Sequence, residues 1–516
     1  MIQTPVEDFY STVQRTYPLG LTYLAAGLKE LPVDMEIIDF LTAHGRQTIP
    51  VPDAFLPIIS YLPYDRSPIA AFHTYYHIGT SWDSIRNYFE NHFYDICAIS
   101  SNFYTYSEEV LTTAEIIKSV SPQTIIIVGG QNVGPYHSLF TDSPDIDYCL
   151  QGEAEISFCR LIECLLDKNE CIENIAGLWN ASSKIWNSPE IQKDFTFSPD
   201  ISALPADTYR IAGKPAIMIS TSRGCPMGCR FCSVSQTFGS RLRLKSVNRV
   251  LKEMQTAYDR GIQVFDLEDD NFTFDRPHCI NLLNGIINQF KGKVDCYAMN
   301  GLSTEHLDEE IIDLLIKANF KLLNLSIATV SATHLKELHR FMNINTFTRV
   351  ARYAGEQKLK TIGHFIAGLP GQSPEDILHT MRVLAKLPLV LGISPFYYIP
   401  GIDIEVPNIP PSCKEARLTR FWPADYLLSK RDLITLFRLS RWINYVKEQL
   451  KERHLDSIAF TNIARVFSDD TFINSLIKHK ELIGIDSEHH FYPHTISQSI
   501  LECFFTSFKD TFIHCG

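Results

Sequence analysis

Cys225, Cys229 and Cys232 fall within Thr221 to Val234, spaced C-x3-C-x2-C. Three thiolates on one short loop can converge on a metal centre. A four-iron cluster takes one ligand per iron. Three local cysteines therefore leave one iron without a protein ligand, as catalytic metal sites keep a position open. Gly224 and Gly228 let the backbone curl tightly there. Phe231 lies in the second spacer, where a ring can shield a cluster or face a ligand. The alternative is a structural zinc loop. Such loops usually carry two C-x2-C pairs or Cys/His pairs, and the sequence shows no second pair.

Further candidates stand at the ends of apolar runs. Gln263 to Leu267 reads as a strand, and Glu268, Asp269 and Asp270 follow it. Carboxylates at a strand end can accept from an amine or from hydroxyls. Asn300, Ser326 and His364 hold later strand ends, and Gly368 to Gly371 makes a turn. In the first part of the chain, Tyr94 to Ser101 and Thr124 to Gly130 read as strands. The second is apolar throughout, as a strand buried on both faces requires. Asp147 to Glu153 is another. Ser100, Ser101, Gly129, Gly130, Gly152 and Glu153 occupy the ends of these strands, where ligands of doubly wound sheets sit.

The elements that must position these residues alternate. Residues 1–190 read as strand and helix in turn, which implies a parallel, doubly wound sheet. A helix opens behind Pro18, and Asp34 to Phe40 is a strand. The first strand of such a sheet has only Met1 to Pro5 available. Either a minimal strand suffices or the chain begins late. Residues 172–215, broken by Pro189, Pro199, Pro205 and Pro215, read as a link with a small hairpin near Trp179 and Trp186. Its last part, 191–215, leads into a second unit at 191–401. There strands at 216–221, 263–267, 294–299, 321–327, 361–366 and 391–398 alternate with helices. About six repeats suggest a partial (β/α)6 barrel with its chemistry at the strand C-termini. Residues 402–516 form a mainly helical third region. Leu436, Leu439, Ile443, Val446 and Leu450 make an apolar helical stripe.

These motifs together resemble the radical S-adenosylmethionine enzymes, in the branch that carries a cobalamin-binding domain before the barrel. The resemblance rests on the cysteine spacing with its aromatic. It rests also on Pro18-Leu19-Gly20, Ser100-Ser101, Gly129-Gly130-Gln131-Asn132 and Gly152-Glu153 in that order, and covers residues 5 to about 400. It implies a [4Fe–4S] cluster on the three cysteines. It implies S-adenosylmethionine near Phe231, Glu268, Asp269, Asp270, Asn300, Ser326 and His364. Of the three consecutive carboxylates Asp269 is expected to face the barrel mouth, with Glu268 in its place if the strand register is shifted by one. It implies cobalamin against Pro18, Leu19, Gly20, Ser100, Ser101, Gly129, Gly130, Gln131, Asn132, Gly152 and Glu153. The implied reaction is methylation of an unactivated carbon through a 5'-deoxyadenosyl radical and methylcobalamin. A non-methylating cyclase or rearrangement enzyme is the alternative, and a sensor without turnover is another. A substrate and an electron donor such as flavodoxin or ferredoxin are the implied partners. One feature departs from the family. Asp39 is followed by Phe40 and Leu41, so the histidine that many such domains place below cobalt is missing.

Composition bounds the rest. The chain has 516 residues, 45% hydrophobic and 21% charged, with net charge −12. That suits two or three globular domains and offers no basic footprint for nucleic acid. No run approaches the ~18 apolar residues of a membrane span, and Met1 to Asp8 lacks the apolar core of a secretory signal. Thirteen cysteines without disulfide-like pairing suit the reducing cytoplasm. Cys97 and Cys149 read as buried thiols, and Cys159, Cys164 and Cys171 as ordinary packing. His44, His73 and His77 read as loop or interface residues. Lys430, Arg431, Arg438 and Arg441 read as a solvated helix face. His489, His490 and His494 form a cluster that could bind metal, but with no defined partner in sequence it reads as ordinary surface and packing residues.

Overall fold

A computed structural model describes residues 1–9, 16–42, 45–167 and 170–515. His44 and the side chain of Cys171 lie outside the described residues.

The first sheet has seven strands. Its parallel part runs Ile38–Asp39, Ile2–Gln3, Ile96–Ser100, Ile125–Gly129, Tyr148–Leu150. In chain order that is 2-1-3-4-5, the doubly wound order expected. The first strand is Ile2–Gln3, and it pairs on both sides. Ile126, Ile127 and Val128 are at most 1% exposed because helices cover both faces. Helices Leu19–Leu28 and Glu155–Asp167 lie against each other on one face. Helices Trp82–Asn91 and Ser107–Val120 pair on the other. The expected hairpin, Leu178–Asn180 with Ile185–Trp186, extends the sheet antiparallel at its edge. Cys97 and Cys149 are buried as expected. Cys164 is disulfide-bonded, which corrects its reading as an ordinary packed thiol.

Six parallel strands make the partial barrel. Lys214–Ile219, Val264–Leu267 and Asp295–Tyr297 form one half, and Leu323–Ala328, Thr361–Ala367 and Val390–Pro395 the other. Single bridges, Cys296 to Phe320 and Leu302 to Leu325, join the halves. Each return helix buries an apolar stripe on the strands. Val247–Asp259 does so through Val250, Met254 and Ala257, and Pro374–Ala385 starts behind a Ser373/Asp376 capping box.

Part of the segment between the second and third strands of the first sheet leaves that sheet. Val6–Asp8, Arg46–Thr48 and Tyr76–Ile78 form a separate antiparallel ribbon. Phe9, Phe55, Ile58, Leu62, Ile69 and Tyr75 then join the core of the barrel and C-terminal helices. Residues 1–190 therefore do not keep to one α/β unit. His77 sits buried in this ribbon, bonded to Glu7 and the Thr80 carbonyl, and His73 contacts Thr74.

The long helix Lys430–Glu452 begins at a Ser429/Asp432 capping box. All five residues of its expected stripe are 0% exposed, each contributing about 1.5–3 kcal/mol over an exposed position. On its polar face Arg431 is exposed as expected, while Arg438 and Arg441 correct the sequence reading. Arg438 is fully buried, donating to the Tyr61 and Ile69 carbonyls beside Asp65 and His494. Arg441 donates to the Ala70 carbonyl. Guanidinium groups with several donors can satisfy such a packed loop where a hydrocarbon could not. Among the described residues no helix is long and apolar enough to cross a membrane.

Candidate active site

One cavity of about 740 Å³ lies between the sheet and the barrel, within the ~300–1,000 Å³ range of small-molecule sites. One wall is made by Leu19, Gly20, Ser100, Gly129, Gly130, Gln131, Gly152 and Glu153. The facing wall is made by Cys225, Cys229, Phe231, Cys232, Glu268, Asp270, Asn300 and Ser326. The fold thus brings together most of the residues singled out in sequence, from elements more than two hundred residues apart.

The cysteine loop is held from behind. Asp269 is 2% exposed and does not line the cavity. Its carboxylate accepts from the Thr221 N–H at 3.0 Å, the Thr221 hydroxyl at 2.9 Å, the Ser222 hydroxyl at 2.6 Å and the Ser222 N–H. The expectation that Asp269 faces the barrel mouth is therefore corrected. Successive side chains alternate along an extended segment, and here Glu268 and Asp270 take the cavity side. Asp270 also accepts from the Gly224 N–H at 3.0 Å. Burial pushes both Asp269 and Asp270 up to about 6, against the hydrogen bonds that pull them down. Gly224 has φ +81°, and a Cβ there would meet the Arg241 carbonyl at 2.5 Å, so no other residue fits this turn.

Several expected contacts are placed elsewhere. Ser101 and Asn132 bond each other at 2.9 Å behind the cavity wall. Pro18 precedes the first helix and accepts from Leu21 and Thr22 through its carbonyl. His364 is off the cavity wall, with Nε2 3.0 Å from Asn324 Oδ1. Glu153 lines the wall, but its carboxylate is engaged by Arg223 at 3.2 Å and Arg243 at 2.7 Å. Arg223 also pairs with Glu155 at 2.6 Å and lies over the rings of Tyr23 and Phe195. These ion pairs tie the strand end that faces one side of the cavity to the residue two places before Cys225. Sequence spacing carries no sign of them, because the partners are separated by 68 to 90 residues. His494 is buried against Asp65. His489 and His490 do not join it in a metal site: among the described residues, no three His, Cys, Asp or Glu side chains converge as a single ion would need.

An iron–sulfur cube bridges sulfurs that need not meet at one point, and the three thiols share one wall of a cavity. Two buried polar atoms beside them lack any partner in the protein, Asn271 Oδ1 and Arg340 Nε. Their side chains point N–H groups at Cys225 Sγ and Cys229 Sγ, at 3.8 and 3.7 Å. Burial raises the Cys225 thiol and pushes Cys232 up to about 11, a cost that metal binding offsets by holding the thiolate. The donor set fits an iron–sulfur cluster. On the opposite wall, a Cβ added at Gly20 would meet nothing within 4 Å, so the helix start leaves room for a ligand against it.

Comparison with known proteins agrees with this geometry. Residues 219–384 match the model of the Radical SAM superfamily. These residues form a radical SAM domain. An uncharacterised methyltransferase of Pyrococcus horikoshii is 26% identical over 395 residues, covering 74% of this chain and 79% of that one. The cytidylyl-2-hydroxyethylphosphonate methyltransferase of Streptomyces wedmorensis is 25% identical over 403 residues, covering 70% and 71%. The radical S-adenosylmethionine methyltransferase TsrM of Kitasatospora setae, solved with cobalamin and a [4Fe-4S] cluster, superposes with a TM-score of 0.57. It is 15% identical and covers 80% of this chain and 75% of that one. That likeness extends the shared fold beyond the radical SAM domain into the sheet that faces it.

Proposed function

We propose that this chain is a cobalamin-dependent radical S-adenosylmethionine enzyme that methylates an unactivated carbon of its substrate. The observation that carries the reading is the single cavity walled by the strand ends of the doubly wound sheet and by the cysteine loop. Cys225, Cys229 and Cys232 would hold a [4Fe–4S] cluster. Glu268 and Asp270 would accept from the amine or ribose of S-adenosylmethionine. Leu19, Gly20, Ser100, Gly129, Gly130, Gln131 and Gly152 would face cobalamin. When bound, the cluster supplies one-electron chemistry at the sulfonium and the cobalamin supplies a transferable methyl group. The protein's part is to orient the two groups across one space and to keep water out, which the apolar lining of Met218, Phe231 and Tyr397 supports. The electron would come from a small external donor of the flavodoxin or ferredoxin kind.

The test is anaerobic reconstitution. The protein should take up about four irons per chain, and changing the three cysteines to Ala should abolish uptake. Under reduction it should release 5'-deoxyadenosine from S-adenosylmethionine. With substrate, methyl label should appear in product. Release of 5'-deoxyadenosine and product without label would assign a non-methylating cyclase or rearrangement instead. No release from a loaded protein would sink the enzyme reading in favour of a sensor.

A further inference from the structure

Arg340 sits in the loop that follows helix Ala332–Glu337, inside the barrel mouth. That loop is fixed against the cysteines: the Arg230 N–H donates to the Leu338 carbonyl at 3.0 Å, and the Arg340 N–H to the Leu335 carbonyl at 2.9 Å. The guanidinium donates to the Ser326 carbonyl at 2.9 Å through Nη2 and points Nη1 at Cys229 Sγ, 3.7 Å away. No carboxylate of the described residues lies within ion-pair distance of it. Asn271 is 4% exposed and points Nδ2 at Cys225 Sγ from the other side, 3.8 Å away. Each side chain also keeps one buried polar atom with no partner, Arg340 Nε and Asn271 Oδ1. A cation with no counter-ion among the described residues and a neutral donor are thus held against two of the three thiols, on two different elements.

We infer that Arg340 and Asn271 set the reduction potential of the cluster that the three cysteines hold, with Arg340 the stronger of the two. The inference rests on the cluster reading above. Cluster potentials depend on net charge and on hydrogen bonds to the sulfurs. Reduction adds one electron from an external donor, makes and breaks no bond, and leaves the cluster and its thiolates more negative. A fixed positive charge and an N–H donor both stabilise that more negative state, most strongly where water is excluded. Arg340 supplies charge and donor together, and Asn271 supplies a donor alone. Both are positioning groups: they reach the metal only through Cys229 and Cys225.

The experiment is a redox titration of the reconstituted protein with dithionite, followed by paramagnetic resonance of the reduced cluster, without S-adenosylmethionine. Arg340→Met keeps the length of the side chain and removes charge and donors. At a fixed potential its ratio of reduced to oxidised cluster should fall at least tenfold, a shift of about 59 mV for one electron. Arg340→Lys should recover part of the shift. Asn271→Leu should move it the same way by less. If the native protein holds no four-iron cluster, the functional reading falls. If the cluster loads fully and the potential stays in place in both variants, this inference alone is overturned. A folded Arg340→Met protein that takes up no iron also overturns it, since the side chain then serves assembly. Weakened S-adenosylmethionine binding at an unchanged potential would overturn it too, and would assign Arg340 to the carboxylate of that ligand.

Discussion

The Asp269 carboxylate accepts twice from Thr221, from its N–H at 3.0 Å and from its hydroxyl at 2.9 Å. One acidic residue at the end of the second barrel strand thereby fixes the end of the first, just before the cysteines. The two strands are neighbours, with Ile219 paired to Leu267, so the clamp closes a corner rather than spanning the cavity.

Its loss is expected to act on stability and its neighbour's on binding. Asp269→Asn removes a charged acceptor from buried donors and should cost about 1.5–3 kcal/mol, read as a lower urea midpoint with looser iron retention. Glu268→Gln should lower the midpoint less than Asp269→Asn does. It should weaken S-adenosylmethionine about tenfold to a hundredfold, the worth of one charge-assisted hydrogen bond. Calorimetric binding and denaturation on both variants check it; the opposite pattern would mean that Asp269 is the ligand contact after all.

Arg223 is 12% exposed in its side chain and serves Glu153 and Glu155 together. Arg223→Met strands Glu155 and should cost about 3–5 kcal/mol, the penalty of leaving a buried charge unpaired. Glu153→Gln should cost less, because Arg223 keeps Glu155 and the amide oxygen still accepts. Equal midpoints for the two variants would show that the network is solvated.

Asp65 is predicted to give a distinctive acid limb. Burial pushes it up, but His494, the N–H groups of Ser67 and Ile485 and the Ser67 hydroxyl outweigh that and hold it at about 2, below its ordinary 3.8. A depressed carboxyl contributes stability that is present above its unfolded value and is lost as pH falls through the folded one. The stability gap between native protein and Asp65→Asn should therefore be full at pH 7 and shrink from about pH 4 toward pH 2. Urea midpoints across that range measure it, and a constant gap would show that Asp65 is not ionised in the fold.

Among the described residues, no histidine lines the cavity. Loaded with cob(II)alamin, the protein should give a paramagnetic resonance spectrum without nitrogen superhyperfine splitting, the cofactor's own base being displaced. A triplet splitting would place a nitrogen below cobalt, and its loss in His44→Ala would identify the source.

The sequence alone was enough for the strand and helix alternation, the six-stranded barrel and the cysteine loop, because each is a local pattern. Side chains three, four or two residues apart share a face or a loop whatever the rest of the chain does. The convergence of Cys225, Cys229 and Cys232 on one loop was legible for the same reason. Tertiary structure decided what depends on partners far away in sequence. It turned Asp269 from the cavity toward Thr221, because the register of a strand end is set by its neighbouring strand. It gave Glu153 to Arg223 and Arg243, and Arg438 to the segment around Asp65, since a buried charge must find its partner wherever the fold places one. It drew residues 55 to 75 into the barrel core, which no period announced. And it set Arg340 beside Cys229, 111 residues away, a pairing that only packing of the loop after Glu337 against the cysteine turn could produce.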